Sequence, residues 1–171
     1  MSKLSSFTRL LKGTHATRIV ASINTGSNIS VRLSRVTPAT NAPLHRHLRP
    51  QQLRPEEAAI FIECSWRLGD GKFIIASSAD YDEPDAAEYE GLNRLLGSKI
   101  SRCTVLRPFF DLSVTFDAGL RLDIFCDRTA EDDSNYTLET YYSACTVLAS
   151  GEIVIKEKAS KPRTLRIVKD A

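Results

Sequence analysis

The chain has 171 residues, 42% hydrophobic and 26% charged, with a formal net charge of +2. That length suits one domain, 1–171, whose core is large enough to fold without disulfides or metals, and the composition excludes a chain that is disordered throughout. No apolar run approaches the ~20 residues of a membrane span, and the first residues lack the apolar block of a secretory signal, so a cytoplasmic protein with no membrane partner is expected.

In chain order, Leu4, Phe7, Leu10 and Leu11 recur at helical spacing, with Ser2 placed to cap the start and Gly13 to end the helix in a left-handed conformation. Residues 18–23 and 28–36 read as two strands of a hairpin around the turn-forming residues 24–27. Residues 37–55 form a connector punctuated by Pro38, Pro43, Pro50 and Pro55, which deny the backbone a donor and disfavour helix. The apolar segment 58–68 reads as one strand containing a core tryptophan, Trp66. It leads through the turn Gly69-Asp70-Gly71 to a return strand over 73–77. Residues 80–90 are densely acidic. Pro84 and Asp85 can open a helix near Ala86, with Leu92, Leu95 and Leu96 on its apolar face and Gly97 at its end.

The last third reads as a meander: strands over 100–106, 111–116 and 120–125, then 136–142, 145–149 and 153–155, with turns at 117–119 and 150–152. The basic tail 156–171 has a possible short strand around Leu165, Ile167 and Val168. Hairpins dominate and βαβ alternation is absent, so the expected fold is α+β: a curved antiparallel sheet, or two packed sheets, with two short helices.

Segments 62–68 (Ile62-Glu63-Cys64-Ser65-Trp66-Arg67-Leu68, followed by 73–80 and Tyr81) and 111–125 (Asp111-Leu112-Ser113-Val114-Thr115-Phe116 through Leu122-Asp123-Ile124-Phe125) carry a resemblance. Together they resemble a widespread group of small, largely uncharacterised bacterial proteins, over residues 58–155. The chain departs from that pattern at Tyr136-Thr137-Leu138, where a Trp-Arg pair is expected. The resemblance implies a fold, a bacterial-type source and an immunity-type or accessory role. It implies no catalytic residue.

The residues themselves offer little chemistry. The chain has no Gly-x-Ser-x-Gly elbow, Walker loop or dinucleotide fingerprint. Cys64, Cys103, Cys126 and Cys145 are spaced by 39, 23 and 19 residues, which excludes Cys-x-x-Cys sites and suits reduced thiols buried as small hydrophobes. His45 and His47 flank Arg46, whose charge opposes a cation; a pairing of His45 with Cys64 puts a base on a connector beside a buried thiol. The acids at 80–90 miss the Gly and Glu positions of a calcium loop, while Asp111, Asp123 and Lys156 are scattered candidates for a metal-dependent nuclease. The expectation is a protein with no catalytic residues, no metal and no cofactor.

Charge supplies the remaining signal. Residues 1–55 hold nine bases and no acid, 56–139 hold 18 acids against 8 bases, and 140–171 hold 6 bases against 3 acids. The first expectation is therefore a protein-binding module, an immunity-type or defence-system accessory protein whose partner is a toxin or a subunit of a defence complex. Its contacts would be Tyr81, Asp82, Glu83, Asp85, Glu88 and Tyr89, with Tyr141, Tyr142 and the acids at 131–133 in support. The alternative is nucleic-acid contact through the basic N-terminal third, at Arg46, Arg49 and Arg54. Phe7 is the only aromatic there, so base stacking is poorly served, and the same bases can instead neutralise the chain's own acids.

Overall fold

The computed structural model describes residues 3–21, 28–36, 53–79, 91–129 and 133–158. Helix α1 (Lys3–Leu11) leads into β1 (His15–Ala21), β2 (Ile29–Ser34), β3 (Glu57–Ile62), β4 (Ser65–Gly69) and β5 (Ile74–Ser77). Strands β6 (Ile100–Leu106), β7 (Asp111–Phe116), β8 (Arg121–Phe125), β9 (Ser134–Thr140), β10 (Ser143–Leu148) and β11 (Ile153–Glu157) follow. All pairings between strands are antiparallel, and they form a six-stranded sheet in the order β1-β2-β3-β9-β10-β11 and a five-stranded sheet in the order β5-β4-β8-β7-β6. The fold is α+β with two sheets.

Period-two alternation explains the core. In β7 and β8, Leu112, Val114, Phe116, Leu122 and Ile124 are buried, while the residues between them face outward. Ile19, Val31, Ile60, Leu138 and Cys145 form the matching layer of the first sheet, and both sets belong to one hydrophobic cluster. Trp66, 1% exposed, is among the largest side chains in that cluster.

The sheets join at two seams. At one, segment 13–16 exchanges backbone hydrogen bonds with 97–100: Gly13 N–H to Ile100 O (2.9 Å), Ile100 N–H to Thr14 O (2.8 Å) and Ala16 N–H to Ser98 O (2.9 Å). Helix α1 packs against β6 beside this seam. The second seam is a corner. Residues 58–68 were expected to run as one strand; instead β3 ends at Ile62 and β4 starts at Ser65 in the other sheet. The strands paired with it divide at the same point, because β3 pairs β9 while β4 pairs β8. The Glu63 N–H donates to Asn135 O at 2.8 Å, and the Asn135 side chain holds both the N–H and the C=O of Asp127, at 2.9 and 3.0 Å. Hydropathy cannot show this break, since the segment stays apolar on both sides of it.

In α1 the buried stripe is Leu4, Phe7, Thr8 and Leu11, and Leu10 is 47% exposed. Leu10 lies about 100° round the helix from Leu11, outside the stripe that spacings of three and four define. Gly13 and Gly97 take φ of +86° and +80°, as expected of residues that end helical segments. Residues 91–93 are helical, and Leu92 and Leu95 are fully buried. The expected start of that helix near Ala86 lies outside the described residues, as do the connector 37–52 and the tail strand at 165–168.

Gly91 is where this helical turn meets the second sheet. A Cβ there would sit 2.9 Å from the Ile75 carbonyl oxygen and 3.0 Å from its Cγ2. Gly91→Ala is expected to cost about 1–3 kcal/mol, because the obstacle is backbone that cannot swing aside. A urea-denaturation midpoint equal to that of the parent protein would show that the turn can lift off β5 freely.

Candidate functional site

Most residues expected to bind a partner or nucleic acid fall outside the described residues: Tyr81, Asp82, Glu83, Asp85, Glu88, Tyr89, Arg46 and Arg49, together with His45 and His47. Arg54 is exposed, and its backbone N–H donates to Glu57 Oε2 at 2.8 Å. Tyr141 and Tyr142 lie in the β9–β10 turn, edge-to-face at 4.9 Å, with Tyr142 the more exposed of the two. Asp111, Asp123 and Lys156 do not assemble: Lys156 is in β11 of the first sheet, and the two aspartates are in β7 and β8 of the second. Asp111 instead accepts the Cys126 N–H at 2.8 Å.

The outer face of the second sheet carries the most distinctive surface. Asp70 Oδ1 accepts the N–H groups of Lys72 and Phe73 at 3.0 and 2.9 Å, which closes the β4–β5 turn and holds the Asp70 carboxyl below its ordinary pKa. That turn pushes Phe73 and Ile74 into solvent, 73% and 62% exposed. Beside them is a groove of ≈ 410 Å³ lined by Arg67, Lys72, Thr115, Arg121 and Asp123. Asp123 is largely buried there. It accepts from Ser113 Oγ (2.8 Å) and Arg121 Nε (2.9 Å), and Arg67 Nε lies 3.9 Å away. The Arg67 guanidinium also rests over the Phe125 ring, 4.8 Å from its centroid. One carboxylate thus positions two arginines whose side chains remain half-exposed, leaving a net positive groove next to an apolar knob.

Sequence reading passed over this surface, although a trace of it is visible. Phe73-Ile74-Ile75 is a continuous apolar run after the turn, and strand alternation obliges part of such a run to face outward.

The first sheet's outer face is different. Register sets Val20, Ser30, Phe61, Thr137, Thr146 and Val154 in one row and Arg18, Arg32, Ala59, Glu139, Ala144 and Lys156 in the next. Arg32 lies 3.9 Å from Glu57, and Lys158 pairs with Glu139. Part of the basic N-terminal third is therefore neutralised within the molecule. Arg18, opposite Arg32, has an Nε without a hydrogen-bond partner among the described residues.

The four thiols differ in burial. Cys64 and Cys145 are buried; Cys103 and Cys126 are half-buried, a correction to the expectation of four buried thiols. Desolvation pushes Cys103 up to about 12 and Cys145 up to about 11. Burial also raises the Tyr136 phenol, which donates to Phe110 O at 2.9 Å, and all four thiols add to that shift. Among the described residues no group of three or more His, Cys, Asp or Glu side chains is placed to hold a metal ion. No helix there is long and apolar enough to cross a membrane. No family model matches the chain, and no curated protein or solved structure matches it either.

Proposed function

We propose that this chain is a non-catalytic protein-binding module whose partner docks on the outer face of the five-stranded sheet. The observation that carries this reading is the adjacent pair Phe73 and Ile74, held in solvent by a hydrogen-bonded turn beside two half-exposed arginines. A rigid aromatic and a branched aliphatic side chain ringed by arginines form the kind of cluster that dominates interface energies. The chemistry it fits is an apolar segment flanked by acids, which Arg67, Lys72 and Arg121 would steer and orient. The chain runs from β5 directly into the acidic segment with Tyr81, Asp82, Glu83, Asp85, Glu88 and Tyr89, which we retain as a second contact for basic groups of the same partner. The resemblance to small bacterial proteins supports an immunity-type or defence-accessory setting. The pairing of Arg32 with Glu57 weighs against the alternative, a nucleic-acid surface on the N-terminal third.

The test is affinity capture with the tagged full-length chain from its native cell, with and without nuclease, using the parent protein, a Phe73→Glu/Ile74→Glu variant and an Asp82→Lys/Glu83→Lys/Asp85→Lys variant. A stoichiometric protein that survives nuclease is expected, with binding to the Phe73/Ile74 variant weakened at least about tenfold, the loss of a hot spot. Because both side chains are exposed, that variant should keep its stability within about 0.5 kcal/mol, checked by urea denaturation. Equal capture by the parent and the Phe73/Ile74 variant would overturn the assigned surface. Recovery of nucleic acid, with proteins lost on digestion, would overturn the reading in favour of the basic third.

A further inference from the structure

Cys64 and Cys126 are 62 residues apart in sequence, yet they are neighbours where β4 and β8 reach the corner between the sheets. The β4–β8 register pairs Trp66 with Ile124 and Ser65 with Phe125, so the next rung brings Cys64 opposite Cys126. That rung is of the non-hydrogen-bonded kind. The Cys126 N–H turns away to Asp111 Oδ1 at 2.8 Å, and two residues along, the Trp66 N–H likewise turns away to Ser78 Oγ at 3.1 Å. Facing residues at such a rung have Cα atoms about 4.5 Å apart and side chains close together. A disulfide needs Cα atoms roughly 4.4–6.8 Å apart, so the backbone need hardly move. The Cys64 and Cys126 thiols are close enough to interact, each within reach of the other. The partners also differ in access, Cys64 being buried and Cys126 half-exposed.

We propose that Cys64 and Cys126 form a reversible cross-strand disulfide that locks the corner between the two sheets when the protein meets a low-molecular-weight disulfide. Cys126, the accessible thiol, reacts first. As thiolate it attacks one sulfur of the small disulfide R–S–S–R, forming Cys126–S–S–R and releasing R–S⁻, and its proton goes to solvent. Cys64 then attacks the Cys126 sulfur as its proton passes to the departing small sulfur, which leaves as R–SH, while the first R–S⁻ takes up a proton from solvent. The two cysteines lose two electrons and two protons, and the small disulfide becomes two thiols. Interaction with the Cys126 side chain, ahead of burial and the charges of Cys126 and Asp127, holds the Cys64 thiol protonated. Capping Cys126 removes its share of that restraint, so the first step prepares the second. Reduction by a small thiol runs the same steps backward.

The bond would tie β3–β4 to β8 where the chain passes between sheets, and its expected readout is a higher thermal midpoint for the oxidised protein. The experiment treats the native full-length chain with oxidised glutathione, then unfolds it in denaturant, blocks the remaining thiols with iodoacetamide and maps them by mass spectrometry. The expected result is a fall from four alkylated cysteines to two, a linked 64–126 peptide, a raised Tm and full reversal by dithiothreitol. Cys64→Ala is expected to stop at the glutathione adduct on Cys126, and Cys126→Ser to leave Cys64 alkylated only after unfolding. Should Cys64→Ala fail to fold, the peptide map of the parent protein and of Cys126→Ser still decides. Four free thiols after oxidation, a stable adduct on Cys126 of the parent protein, or a link involving Cys103 or Cys145 would each overturn the proposal.

Discussion

Trp66→Ala is expected to destabilise the protein by about 3–5 kcal/mol, a large share of the ~5–15 kcal/mol that holds a domain of this kind together. Trp66 is 1% exposed, pairs across the ladder with Ile124, and follows the corner directly, where both sheets contribute to the core. Removing the indole leaves a cavity that strands on either side cannot close, because their ladder bonds fix the spacing between them. Urea denaturation monitored by circular dichroism measures the loss. A variant within 1 kcal/mol of the parent would show that the core does not depend on this side chain. The parent protein also carries its own probe, since Trp66 is the only tryptophan and its emission reports the corner alone.

The second large effect is alkaline. Cys103 and Cys145 are raised from 9.0 to about 12 and about 11, and burial raises Tyr136 in the same direction. In the unfolded chain these thiols ionise near 9, whereas in the folded protein they keep their protons to higher pH. Folding is therefore favoured by the full margin below pH 9. Between pH 9 and 12 the unfolded state sheds protons that the folded state retains, and stability falls with each step in pH. Urea midpoints at pH 7, 9, 10 and 11 are expected to hold level to about pH 9 and then drop steeply. Cys103→Ala and Cys145→Ala, each compared with the parent at every pH, are expected to flatten that drop, because a side chain with no proton to lose adds nothing to the slope. A midpoint that is flat from pH 8 to 11 would show that the thiols and the Tyr136 phenol are solvated.

Local rules account for much of this molecule. Alternation placed β7 and β8 within about a residue of their limits, the Gly-Asp-Gly turn does join β4 to β5, and Gly13 and Gly97 do end their segments at positive φ. Each of these follows from properties of adjacent residues, either a period of two or a glycine's freedom of φ. Leu10 was misplaced for a related reason: an apolar residue next to a stripe satisfies a loose helical spacing without lying on the stripe.

What the sequence by itself determined is the α+β class, the hairpin pattern and Trp66 as a core residue, because the hydrophobic period and turn chemistry are properties of short segments. Only the tertiary structure decided that 57–69 splits between two sheets, that Phe73 and Ile74 stand in solvent beside Arg67 and Arg121, and that Cys64 and Cys126 are neighbours. All three depend on which distant strands pair and in which register. Pairing is a choice between whole-chain arrangements, fixed by the burial of the entire core, so no local run of residues carries it.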